Sequence, residues 1–94
     1  MARQDRQLRK LLGERLQAAE HGDAKAFYDL GLYYALGQGV PRDLVAAHKW
    51  FNLAACCGVR QAEVERRELA AEMAPPEIAT AQRAAREWMM RHGS

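Results

Sequence analysis

Two adjacent cysteines, Cys56 and Cys57, and three histidines, His21, His48 and His92, carry the most versatile chemistry in this chain. Thiols and imidazoles in the right register ligate zinc or form an activated nucleophile. The spacing argues against both. The histidines are separated by 27 and 44 residues, so no two share a helical turn, and none forms a zinc pattern with the cysteines. His48 and Cys56 fall two turns apart on one predicted helix, about 12 Å along its axis, too far to hold one ion. They read as a surface histidine and a small buried thiol. Neighbouring cysteines on a helix point roughly 100° apart, which strains a mutual disulfide and leaves reduced thiols as the expectation. Apart from the tyrosines, the hydroxyls are Thr80 and Ser94, which provide no nucleophile–base–orienter set. Glu63, Glu65 and Glu68 interleave with Arg66 and Arg67 in the manner of an exposed salt-bridged face rather than an acid/base pair. No catalytic residue, metal ligand or cofactor follows from these residues, and the chain reads as non-enzymatic.

The elements around them are helical. A length of 94 residues suits one domain spanning 1–94, with a modest core. Alanine occurs 18 times, against six for valine, isoleucine and threonine together, which points to an all-α class. A net charge of +2 is too small for a nucleic-acid surface. Arg3, Arg6, Arg9, Lys10 and Arg15 against Asp5 and Glu14 make the first helix locally basic, and that face reads first as solvated and second as a docking patch for an anionic partner. The chain holds no apolar run long enough for a signal sequence or membrane span, so no membrane insertion and a cytoplasmic location are expected.

Leu8, Leu11, Leu12, Leu16 and Ala19 recur at steps of three and four, predicting a first helix over about 4–20. Gly22 suits its left-handed cap, and Asp23 the N-cap of a second helix over 24–36. Ala26, Leu30, Tyr33 and Tyr34 share a face of that helix. Gly31 interrupts it, which suggests a neighbouring helix too close for a side chain. Gly37, Gly39 and Pro41 make a turn, and Asp43 caps a third helix over about 43–57, with Leu44, Ala47, Trp50, Phe51 and Ala54 inward and Gly58 closing it. A fourth helix is expected over 59–73. A break at Ala74-Pro75-Pro76-Glu77 precedes a fifth, in which Ile78, Ala81, Ala85, Trp88 and Met89 face inward as far as about Arg91.

Ala18, Ala19, Gly22 and Ala26 recur as Ala54, Ala55, Gly58 and Ala62 at an offset of 36 residues, a period typical of solenoids built from helical pairs. Ala26-x3-Leu30-Gly31-x2-Tyr34-x2-Gly37-x-Gly39-Val40-x2-Asp43-x3-Ala47-x2-Trp50-x3-Ala54-Ala55-x2-Gly58-x3-Ala62 resembles one nearly complete unit of the Sel-1-like repeat family, relatives of the tetratricopeptide repeats. Ala84-Ala85-x2-Trp88 echoes Ala46-Ala47-x2-Trp50 more loosely, with Met73-Ala74-Pro75-Pro76 in place of the glycine-rich turn and Arg66-Arg67 in place of Leu-Gly. The resemblance implies a short α-solenoid of antiparallel helix pairs, about five helices in all. An N-terminal capping helix (4–20) is followed by one full repeat (23–58) and a degenerate capping repeat (59–91). The motif residues read as structural. The vicinal cysteines do not reproduce the regular spacing of cysteine-rich relatives, so no disulfide is carried over from them.

In the tetratricopeptide-like architecture the first helix of each pair lines a groove. The resemblance therefore implies a partner-binding face made of Lys25, Tyr28, Asp29 and Leu32 on the second helix with Arg60, Val64 and Arg67 on the fourth. Its occupant would be a peptide or helix of another protein, unless the first helix covers the face. An adaptor or accessory subunit is the leading reading. A homodimer joined through Trp88-Met89-Met90 is the alternative, and a thiol- or haem-linked redox or assembly role through Cys56 and Cys57 is the remaining one.

Overall fold

In the computed structural model, strong helix formers between well-placed caps give five helices: α1 (Ala2–Glu20), α2 (Ala24–Leu36), α3 (Leu44–Cys56), α4 (Arg60–Ala70) and α5 (Pro75–His92). The structure describes the backbone of residues 2–93 and the side chains of residues 5–93, so Ser94 and the ends of the expected 1–94 domain lie outside the described residues.

Local rules account for the junctions. Asp23 Oδ1 accepts the backbone N–H groups of Lys25 and Ala26 at 2.9 and 3.3 Å. Asp43 Oδ1 accepts that of Ala46 at 3.0 Å. Each carboxylate satisfies donors that the first helical turn leaves open. Gly22 and Gly58 take φ of 79° and 91°, the left-handed region that ends a helix without a Cβ penalty.

Three helices differ from expectation at their ends. Helix α1 begins at Ala2 instead of residue 4, since Arg and Gln extend a helix readily and no stop signal intervenes. Helix α3 is shorter by one residue at each end, with Asp43 and Cys57 serving as its caps. Helix α4 ends at Ala70 instead of 73, and the following turn folds Met73 into the core. The prolines open α5 rather than merely breaking the chain. A proline in the first turn gives up only an N–H that has no intrahelical partner there. The Glu77 side chain accepts the Ala74 N–H at 2.8 Å and completes this start.

Helix α3 occupies the centre, packed against α2, α4 and α5, while α1 lies along α2. Close approach is made possible by Ala26, Ala47, Ala54, Ala62, Ala81 and Ala85, all buried. The space between is filled by aromatics: Trp50 and Trp88 meet edge-on with centroids 4.8 Å apart, and Phe27 stacks on Trp50 at 5.9 Å. A Cβ on Gly31 would overlap the Phe51 ring, so the α2–α3 crossing requires glycine there. Tyr34 is half-buried at the edge of this core, and Ala55 likewise.

Candidate functional site

The chemically versatile residues exchange the environments expected of them. His48 is buried, with 3% of its surface exposed, and Cys56 is an exposed free thiol, as is Cys57. Helix α3 buries Ala47 and His48 in succession because neighbours surround it, and by Cys56 it has run past them. Burial, reinforced by the Arg66 guanidinium, pushes the His48 imidazole below its ordinary pKa of 6.5. Its Nδ1 is buried without a hydrogen-bond partner. The folded protein therefore resists a proton that the unfolded chain accepts near pH 6.5. This contribution to stability is complete above pH 6.5 and is lost as pH falls. Chemical denaturation between pH 7.5 and 5.5 is expected to show it as a slope of at most about 1.4 kcal/mol per pH unit. His48→Leu is expected to flatten that slope.

The expected salt-bridged face on α4 takes another form. Arg66 donates to the side-chain oxygen of Asn52 on α3, and Glu65 accepts from Gln61 at 3.0 Å. The Arg66–Asn52 bond ties α4 to α3, the Gln61–Glu65 bond lies within α4, and among the described residues no carboxylate–guanidinium pair forms within the Glu63–Glu68 stretch.

On α2, the ring of Tyr28 rests against Phe51 with centroids 5.7 Å apart, and Leu32 is half-buried beside the core. Asp29 pairs with Lys25 at 3.3 Å and with Arg15 of α1 at 3.1 Å, so α1 flanks α2 on its Asp29 side. On α4, Arg60, Val64 and Arg67 are exposed, while Ala62 and Leu69 are buried. Steps of 100° set the two arginines about 160° away from those buried residues, on the outer side of the helix. The α4 group whose charge reaches Tyr28 is Glu65. Burial first, then the Glu65 and Asp29 carboxylates, raise the phenol above its ordinary pKa. Glu65 was absent from the expected face. Its helical angle, nearer the buried side than Arg60 or Arg67, was the available signal.

A cleft of about 450 Å³ opens where α1, α3 and α5 end. Phe27, Leu53, Trp88 and Met89 line it, with Cys56 and Cys57 at the end of α3. His92 stacks on Trp88 with ring centroids 3.7 Å apart, and its Nε2 lies 2.8 Å from the Glu20 carboxylate, joining the last helix to the first. No group of three or more His, Cys, Asp or Glu side chains among the described residues is placed to hold a metal ion. Among the described residues, no helix is long and apolar enough to cross a membrane.

A family model described as Sel1 repeat matches residues 24–59. No curated protein matches the chain. Sel1 repeats are in general protein–protein interaction modules. The matched span contains α2, its glycine-rich turn and α3, including the Gly31–Phe51 crossing and both aspartate-capped helices except for Asp23 itself. The match at residues 24–59 is consistent with a Sel-1-like repeat.

Proposed function

We propose that the protein is a non-catalytic interaction module, an adaptor or accessory subunit that receives a peptide or helix of another protein on the α2–α4 side. One observation carries this reading: α2 holds more apolar surface than its neighbours cover. It buries Ala26, Phe27 and Leu30, yet Tyr28, Leu32, Tyr33 and Ala35 remain half-covered and Leu36 is 64% exposed. A helix with apolar residues left partly open beyond its buried face retains surface for another molecule. Lys25, Arg60 and Arg67, all exposed, supply a charged border, with Asp29 held against Arg15 of α1, and Val64 a second apolar contact. In this proposal α4 and α5 form a degenerate second unit, and the module works in the cytoplasm.

Peptides selected from a displayed library on the wild-type chain test the reading. Leu32→Glu is expected to weaken such peptides roughly tenfold or more. Because Leu32 also touches the core, Val64→Glu at an exposed position provides the second variant, expected to weaken binding at unchanged Tm. Peptides indifferent to both substitutions would argue against this face. Self-association is favoured by a separate observation, the exposure of Met90 at 82% beside Met89 at 39%. Mass in solution over a hundredfold concentration range separates the readings: a fixed 10.6 kDa leaves α5 to other partners, and a doubled mass assigns it to a second copy.

A further inference from the structure

Helices α1, α3 and α5 end at the same cleft, and a helix C-terminus carries the equivalent of about half a negative charge. A basic residue in the last turn commonly answers that charge. Helix α5 has Arg91 and His92 there, and α1 is followed by His21, whose Nδ1 lies 3.0 Å from the Gln17 carbonyl, whereas α3 has none. The turn amides that follow α1 and α3 take the carbonyls of Ala18, Ala19, Ala54 and Ala55. Among the described residues, no backbone N–H outside the helices reaches the carbonyls of Glu20, His21, Cys56 or Cys57. Glu20 adds a carboxylate whose side chain is 56% exposed and which engages His92 through Oε2 alone.

The cleft thus combines acceptors and negative charge at its edge with an apolar floor of Phe27, Leu53 and Trp88. A complementary occupant needs positive charge, several donors and an apolar stem. Arginine meets all three requirements, with five N–H donors on a planar head and a methylene stem that packs on aromatic surface. Lysine offers three donors on a more strongly hydrated head. We propose that this cleft receives an arginine side chain of a partner protein. The inference rests on reading the chain as an interaction module and gives that partner a chemical signature.

Nα-benzoyl-L-arginine amide and its citrulline counterpart are suitable probes, similar in shape and differing in charge. Each is titrated into the full chain while the Trp88 indole N–H resonance and the rate of thiol alkylation by iodoacetamide are followed. The arginine probe is expected to shift Trp88, to slow alkylation of Cys56 and Cys57, and to bind roughly tenfold tighter than citrulline. Glu20→Gln is expected to reduce that preference about fivefold. His92→Gln breaks the same bridge but keeps the carboxylate, and is expected to preserve the preference, which separates loss of charge from loss of structure. Equal affinity for both probes, or arginine binding that leaves the thiols as reactive as before, would overturn the proposal. In that case library peptides that still depend on Leu32 and Val64 would leave the interaction-module reading standing, whereas their failure beside a retained arginine preference would remove the α2–α4 face alone.

Discussion

Trp50→Ala is expected to lower stability by about 3–5 kcal/mol, read as a shifted urea midpoint followed by circular dichroism. For a chain this long, total stability at ~0.05–0.15 kcal/mol per residue is about 5–14 kcal/mol, so the loss takes a large share or all of it. The size of the effect comes from where the indole sits. Trp50 is buried between Phe27 of α2 and Trp88 of α5, and Lys49 Nζ lies 4.3 Å above its ring. Its removal opens a cavity at the place where α5 docks on α3. Trp50→Phe keeps part of that surface and is expected to cost clearly less. A Trp50→Ala variant as stable as the wild type would mean that α5 is not held through this contact.

Gly31→Ala carries the second large effect, and its sign is opposite to helix propensity. Alanine in place of glycine in a helix interior is worth about 1 kcal/mol in favour of the helix. Here the added methyl meets the Phe51 ring. That ring is buried and flanked by Tyr28, so it has little room to yield. Overpacking of this kind costs typically about 1–3 kcal/mol and more where backbones must separate, leaving a net destabilisation of about 2 kcal/mol. Phe51→Leu in the same chain makes room for the methyl, so the double variant is expected to be more stable than the two single losses added together. Strict additivity across that cycle would show that the methyl is accommodated elsewhere.

How legible these features were in the sequence depended on how many neighbours each helix has. The limits of α2, 24–36, agree with the structure because Asp23 and Gly37 each mark an end by their own chemistry. Gly31 announced a close neighbour for the same reason: glycine has no other advantage there. Helix α3 was harder to read. A helical wheel assumes one buried face, but α3 touches three helices and buries Ala47, His48, Trp50, Phe51, Leu53 and Ala54. The wheel therefore placed His48 at the surface. Cys56, read as buried by its residue type, lies beyond the reach of the neighbouring helices. On α4 the sequence named Arg60, Val64 and Arg67, but periodicity does not say which neighbour stands at a given angle, so Glu65, whose charge reaches Tyr28, went unnoticed. The cleft was illegible altogether, since Glu20 and His92 are 72 residues apart and meet only in three dimensions. Met89, expected inward, is 39% exposed at the end of α5, and proline chemistry supplied a further error, because the same residue that ends one helix also begins the next.

The central position of α3 has a consequence for how the chain folds. In a long solenoid each unit has some stability of its own, and coupling to the next is a second, separable quantity. Here the two merge. Helix α3 is the partner of α2 and also the docking surface for α4 and α5. Any excursion that detaches it removes the support of three other helices at once and leaves α1 against an isolated α2. Partial unfolding thus saves almost none of the buried surface. Helices α2 to α5 are therefore expected to unfold in one cooperative transition, although the sequence is written in repeats.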